Sequence, residues 1–199
     1  LDEYKPDSVA VAFDVKAPTF RHKMYDAYKG TRKPAPSELI EQFPPLKELL
    51  GYLGYKVVEM PGYEADDILG TLAKKAKKQG IEVILFTGDR DSFQLATNKV
   101  TIRIPRTKQG KTEIDDFDRE KVLETYGVEP KALIEVKGLM GDASDNIPGV
   151  AGIGEKTAIN LIKTFGSIEE IYKKIDEGEP SIKGKVKEKN VISYSPLPL

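Results

Sequence analysis

Hydrophobic positions along the chain fall into two textures. In the first half, short continuous apolar runs alternate with stripes at helical spacing; in the second half only the stripes continue. Ser8 to Phe13 (SVAVAF) ends in Asp14 and has the pattern of a strand buried on both faces of a parallel sheet. From Ser37 to Leu53, apolar residues at Leu39, Ile40, Phe43, Leu46, Leu49, Leu50 and Leu53 predict one helix, closed by Gly54. Lys56 to Glu59 predicts a second strand. Glu64 to Gln79 is an amphipathic helix with Ala65, Ile68, Leu69, Leu72, Ala73 and Ala76 on one stripe, lysines in its last turns and Gly80 as its stop. Ile81 to Thr87 and Val100 to Ile104 predict two more strands, with a short helix through Ala96 between them. Strand and helix alternating over these lengths indicate an α/β domain with a mostly parallel sheet.

Beyond a turn at Lys108 to Lys111, helices alone are expected. Asp118 can cap one to Tyr126, Pro130 can start one to Leu139, a third spans Glu155 to Phe165, and Ser167 with Glu170 forms a capping box for a fourth. A subdomain boundary is expected near Asp115, dividing residues 1–115 from a helical part, 116–199. The tail from Gly178 is basic and then reads SYSPLPL, the texture of a linker or frayed end.

Composition narrows the chemistry. The 199 residues are 39% hydrophobic and 32% charged, which suits a globular protein with a real core. No apolar run approaches the ~18 residues of a membrane-spanning helix, and the first residues lack a signal pattern, so a cytosolic protein without membrane contact is expected. No Cys and one His leave out disulfides, thiol nucleophiles and Cys/His zinc sites. Carboxylates, Lys, Arg, Tyr and hard metals remain. Lys and Arg total 31 against 32 Asp and Glu, a net charge of -1 that as a total argues against nucleic acid.

The distribution of those charges argues the other way. Asp14 directly follows one predicted strand, and Asp89 and Asp91 follow another; ligands of an open parallel sheet bind outside its carboxyl ends, so the three should converge. Glu64, Asp66 and Asp67 open a helix at the same edge, although compensation of the helix dipole would explain that trio alone. Asp142 and Asp145 lie in GDASDNIPG, where turn chemistry would also suffice. Eight carboxylates sharing a crevice repel unless cations intervene, and oxygen-only donors point to Mg²⁺ or Mn²⁺, with room for two ions. Two ions among carboxylates suit in-line phosphodiester hydrolysis. Setting these eight aside from the 32 acids leaves 24 against 31 bases, an acidic crevice within a basic surface.

Lys16 to Lys33 reads KAPTFRHKMYDAYKGTRK, with Phe20, Tyr25 and Tyr28 interleaved among cations. This suits single-stranded nucleic acid, whose backbone meets charge while bases stack on rings; a solvated surface segment is the plainer alternative. His22 reads as a surface residue of this segment. Gly149 to Thr157 (GVAGIGEKT) fails as a Walker A loop because Glu155 separates Gly154 from Lys156 and no strand precedes it. It fits a glycine hairpin between helices, whose backbone N–H groups bind phosphate without reading sequence, or a purely structural turn. Lys156, Lys163 and the run Lys183 to Lys189 would add salt-dependent contacts.

Four strings, FDVKAPTFRHKMYDAYKGTRKP, PGYEADDILGTLAKKA, TGDRDSFQLA and GLMGDASDNIPGVAGIGEKTAINLI, run in order across residues 9–170. Together they resemble the 5′-nuclease family of flap endonucleases and 5′→3′ exonucleases, most closely the exonuclease domain found in bacterial DNA polymerase I. The resemblance implies a PIN-like α/β domain, an arch or clamp over 16–45 through which a 5′ end threads, and a helix-hairpin-helix over 140–166 that grips duplex DNA and commonly a K⁺ ion. It implies that Asp14, Glu64, Asp66, Asp67, Asp89, Asp91, Asp142 and Asp145 hold two divalent ions directly or through water. Tyr28, Lys29 and Arg32 would orient the scissile phosphate, with Asp66 and Asp89 also among the catalytic residues. Arg21 would steer the 5′ strand, and Lys33, Gly149, Gly152, Ile153, Gly154 and Lys156 would contact DNA. The family opens with a further strand carrying a first ligand Asp and then an aromatic, basic helix; this sequence starts past both, so metal occupancy and rate are expected to suffer. The activity implied is metal-dependent 5′→3′ exonuclease and 5′-flap endonuclease action on DNA in replication and repair, by a monomer joined to a polymerase domain in the full-length protein. A structure-specific DNA-binding fragment with an incomplete metal site and an RNA-directed PIN-type nuclease are the competing readings.

Overall fold

The structure, a computed structural model, describes residues 3–108, 110–179 and 182. The basic run from Lys183 and the tail expected to fray lie outside the described residues. In chain order the α/β half comprises β1 (Ala10–Ala12), α1 (Phe20–Met24), α2 (Ser37–Ile40), α3 (Phe43–Tyr52), β2 (Lys56–Val58), α4 (Ala65–Lys78), β3 (Val83–Phe86), a 3₁₀ turn (Arg90–Leu95), β4 (Val100–Lys108) and β5 (Lys111–Phe117). The strands β1 and β2 pair in parallel, as do β3 and β4, and α4 packs against both β1 and β3. This shared helix sets the ends of β1 and β3, and so Asp14 and Asp89, over one side of the molecule.

The α/β fold with parallel strands expected from the sequence is present in the β1–β2 and β3–β4 pairs. What needs correction is β5, a strand absent from the sequence-based expectation. Among the described residues the strands form three sheets, and β5 runs antiparallel to β4 through seven pairs from Ile102–Phe117 to Lys108–Lys111. Gly110, at φ +76, allows the reversal between them. Hydrophobic patterning missed β5 because its apolar residues, Ile114 and Phe117, are three apart and most of the strand is exposed. The ladder to β4 holds it, as for a polar edge strand. The sheet therefore runs on through residue 115 to Phe117. A second correction concerns Ser37 to Leu53, which forms two helices. Pro44 and Pro45 lack an N–H and are tolerated only in a first turn, so the helix restarts at Phe43. Nothing on α3 is fully buried, and Leu46, Leu49 and Leu53 of the supposed core stripe are exposed.

The second half is helical, with α5 (Arg119–Tyr126), a 3₁₀ turn (Pro130–Ala132), α6 (Leu133–Met140), α7 (Glu155–Phe165) and α8 (Ile168–Asp176). Asp118 accepts the Lys121 N–H to cap α5, and the Ser167 hydroxyl accepts the Glu170 N–H to cap α8. Between α6 and α7, β6 (Gly141–Asp142) and β7 (Ile147–Pro148) form a small antiparallel hairpin where only a loop was expected. One core gathers Leu85, Phe93, Ile102, Phe117 and Val122, the other Val136, Leu139, Ala158, Ile162 and Ile171. Tyr126 and Leu133 touch both cores, so burial of one apolar surface couples the two halves.

The hairpin base is packed backbone to backbone. A Cβ on Gly149 would lie 2.1 Å from the Met140 carbonyl carbon, and one on Gly141 would lie 2.2 Å from the Gly149 nitrogen. Gly149→Ala is therefore expected to destabilise the protein by about 3 kcal/mol, the cost of overpacking a rigid site, read as a lower urea midpoint at unchanged slope.

Candidate active site

Asp14, Asp66, Asp89, Asp91, Asp142 and Asp145 line one open cleft together with Arg21, Lys29, Arg32 and Lys137. Asp14 leaves the end of β1 and accepts the Ala65 N–H at 2.7 Å, tying β1 to the first turn of α4, where Asp66 sits. Asp89 caps the 3₁₀ turn after β3 by accepting the Asp91 N–H at 2.8 Å, which aims both side chains from the same strand end. Asp142 and Asp145 enter from the hairpin of the helical half.

Glu64 and Asp67 stand behind this cleft instead of lining it. Asp67, 7% exposed, accepts the Glu64 N–H at 2.8 Å and takes both Arg21 guanidinium nitrogens at 2.7 Å each. Burial alone would push the Asp67 carboxyl up, but the Arg21 hydrogen bonds outweigh it and hold it below its usual range. Arg21, expected to steer a DNA strand, pairs with Asp67 and reaches the cleft wall with a side chain 11% exposed. Glu64 receives Lys29 Nζ at 2.8 Å and the Tyr28 hydroxyl at 3.0 Å.

Tyr28 is 4% exposed, and its oxygen also lies 3.1 Å from Asp145 Oδ2, so one hydroxyl hydrogen serves two carboxylates. Burial, then the charges of Glu64 and Asp145, push its pKa up and keep it a donor. It has no open face for a base. Phe20 is likewise taken, packing against Tyr63, while Tyr25 is exposed. His22 is no bare surface residue: its Nδ1 accepts the Thr19 N–H at 3.1 Å at the start of α1, and its ring stands edge-on to Tyr28.

The segment 27–32 is fastened to the acidic hairpin. The Lys29 N–H donates to the Asp145 carbonyl at 2.9 Å, Asn146 Nδ2 to the Ala27 carbonyl at 2.8 Å, and Arg32 to the Ser144 carbonyl and the Asp145 carboxylate. Lys29 and Asn146 both have positive φ, 54° and 59°, an uncommon conformation that these cross-bonds enforce. Of the remaining residues expected to touch DNA, Lys33, Gly152, Gly154 and Lys156 are exposed, whereas Ile153 belongs to the helical core and Gly149 is closed in at the hairpin base.

Charge within the cleft is unevenly balanced. Burial, with the nearby charges of Asp89, Asp14 and Glu64, pushes Asp66 up to about 6, and Lys29 only partly offsets this. Burial would raise Asp142 too, but hydrogen bonds from Lys137 and Ser144 outweigh it and hold Asp142 at about 2. Lys137, missed in the sequence, is 2.8 Å from Asp91 Oδ1 and 2.7 Å from Asp142 Oδ2. The available signal was its place five residues before Asp142, with Gly141 between them to reverse the chain. Among the described residues no three carboxylates stand close enough together to hold an ion as they are. The donors nonetheless fit hard divalent cations in kind: carboxylate oxygens throughout, with repulsion at Asp66 that a cation would relieve.

Family models match the whole described chain in two parts: the 5′-3′ exonuclease N-terminal resolvase-like domain at residues 1–127 and the 5′-3′ exonuclease C-terminal SAM fold at 128–194. The chain belongs to the 5′-3′ exonuclease family. It is 51% identical over 177 residues to DNA polymerase I of Bacillus subtilis (strain 168), covering 89% of this chain and 20% of that protein. The chain thus spans about a fifth of the length of that relative. Among solved structures it is similar to the T5 D15 protein co-crystallised with metal ions, at 27% identity and TM-score 0.74 over 94% of this chain and 71% of the other. The T5 D15 flap endonuclease in a complex with DNA and metal ions matches at 25% identity and TM-score 0.73, over 95% and 71% of the two chains. The catalytic core of Rad2 with a DNA substrate, 21% identical at TM-score 0.58 over 90% and 55%, shares the fold. Within this exonuclease family chain, no helix among the described residues is long and apolar enough to cross a membrane.

Folding raises Asp66, so its ionisation costs stability as pH rises from about 4 through about 6. Asp66→Asn should therefore be more stable than the parent by about 1–2 kcal/mol at pH 7.5 without metal, allowing for solvent screening, with no difference below about pH 4; urea unfolding across pH checks this. Arg21→Met should cost about 3 kcal/mol by stranding Asp67, visible in thermal unfolding.

Proposed function

We propose that the chain hydrolyses phosphodiester bonds of DNA at 5′ ends and 5′ flaps, using two divalent ions, Mg²⁺ or Mn²⁺. The observation that carries this reading is the convergence of six carboxylates from both halves of the chain on a cleft rimmed by Lys29, Arg32 and Lys137. Bound there, the ions would supply activation of water and stabilisation of charge on the attacking and leaving oxygens. Asp14, Asp66, Asp89, Asp91, Asp142 and Asp145 are the residues that would hold them, directly or through water.

The chain's own groups do the rest. Lys29 and Arg32 stand at the cleft with side chains 21% and 50% exposed, fixed cations against which a phosphate and its developing charge can rest. Tyr28 and Arg21 keep Glu64 and Asp67 in place and so hold the first turn of α4, with Asp66, at its angle to the cleft. Duplex DNA would rest on the hairpin before α7. That helix starts at Gly154 with no side-chain cap, leaving first-turn N–H groups for a phosphate, and Lys156 stands exposed beside them. A K⁺ ion belongs to the same proposal, at Gly152 and Gly154, where the backbone carries no side chain.

The relatives support the reading: a DNA polymerase I shares half the residues of the matched region, and a T5 flap endonuclease with similar structure is seen with DNA and metal ions. The absence of a preassembled trio of carboxylates among the described residues favours a second reading, a DNA-binding fragment that does not cut. On a 5′-flap duplex the chain should release short 5′ products only with Mg²⁺ or Mn²⁺, and Asp89→Asn should lower the rate by at least about 10²-fold, on the order of 3 kcal/mol of lost transition-state stabilisation. Binding of the flap without cleavage in either metal would establish the second reading instead.

A further inference from the structure

Lys137 reaches the cleft from α6 and places its ammonium between a carboxylate of each half of the molecule, Asp91 and Asp142. The two oxygens of Asp142 are not alike. Its Oδ1 accepts from the Ser144 N–H at 2.8 Å and the Ser144 hydroxyl at 2.6 Å, while Oδ2 faces Lys137 at 2.7 Å. The hairpin thus orients Asp142 through one oxygen and turns the other to a cation. Asp91 is set from the other side, its N–H fixed on Asp89 Oδ1. An ammonium there sits 2.7–2.8 Å from its oxygens, whereas Mg²⁺ takes carboxylate oxygens at ~2.1 Å. A divalent ion on those same oxygens would lie within a few ångströms of the ammonium, and the repulsion between the two cations sets them in competition. The Lys137 side chain is 37% exposed, so its stem can swing to solvent while α6 stays in place.

We propose that Lys137 is the resident counter-ion of the Asp91–Asp142 pair and that a divalent ion binding there displaces it, lysine and metal being alternative occupants of one position. The ammonium holds the two carboxylates, and with them the two halves of the cleft, in register before metal arrives. Metal affinity at this pair is then set by a competition built into the chain. Lys29 does not play the same part, since its partner Glu64 lies behind the cleft. The proposal rests on the metal-dependent reading above.

Mn²⁺ binding to the 199-residue chain, followed by electron paramagnetic resonance, tests it without reference to cleavage. Lys137→Met should bind one ion about tenfold more tightly than the parent, the ~1.4 kcal/mol equivalent of removing one competing ion pair. Lys137→Arg, which keeps the charge, should bind as weakly as the parent. A lysine that merely supported the site would on removal lower affinity, so equal or weaker Mn²⁺ binding by Lys137→Met overturns the proposal. If the parent binds no Mn²⁺ at all, the metal-dependent reading fails and the proposal with it; if the parent binds and Lys137→Met gains nothing, only the proposal fails. Should Lys137→Met not fold, lysine-selective NMR of the parent decides: Mg²⁺ should shift the Lys137 ε-methylene signal, and an unmoved signal with the ion bound overturns the exchange.

Discussion

Like charges confined to one crevice repel, and the rest of this structure is arranged around that repulsion. The chain answers it with its own cations, each assigned to a carboxylate: Arg21 to Asp67, Lys29 to Glu64, Arg32 to Asp145, and Lys137 across Asp91 and Asp142. Asp66 has no such ion pair among the described residues, and burial together with the charges of Asp89, Asp14 and Glu64 pushes its pKa up. In the proposed function the same cations that balance the carboxylates are the groups a phosphate would meet. Sites tuned in this way give up stability for function.

The same pairs join the two halves. Asp91 and Glu64 belong to the α/β part, Asp142 and Asp145 to the helical part, and Lys137 and Tyr28 each touch one of both. The apolar seam at Tyr126 and Leu133 brings the halves together without direction, while these polar contacts set the register in which they meet. Segment 27–32 is drawn into the arrangement by its bonds to the hairpin, and there lysine takes a backbone conformation usually left to glycine or asparagine.

Much of the fold was legible because period and punctuation agreed. The amphipathic α4, with its acidic start and Gly80 stop, appears as expected, and α5, α7 and α8 begin at the residues whose side chains or flexibility suit a cap. What patterning could not show was β5, a polar strand held by its ladder to β4, and the break before α3, where two prolines outweigh a continuous apolar stripe. Propensity and period describe a residue's neighbours in sequence; both of these features depend on the main-chain hydrogen bonds that a segment can or cannot make.

For the site, sequence alone determined the chemistry: no thiols, one imidazole, and carboxylates at element ends, hence oxygen donors for hard cations and a family resemblance carried by four motifs. Tertiary structure decided which carboxylates face the cleft and which lie behind it. Glu64 and Asp67 are adjacent to Asp66 in the same turn, yet the helix turns them toward Arg21, Tyr28 and Lys29. Spacing along a helix shows that residues diverge around its axis, but only packing shows what each one meets. Lys137 and Tyr28 make the same point from the other side, since their partners lie 46 and 117 residues away at Asp91 and Asp145, and an electrostatic pair over such a separation exists only once the chain has folded.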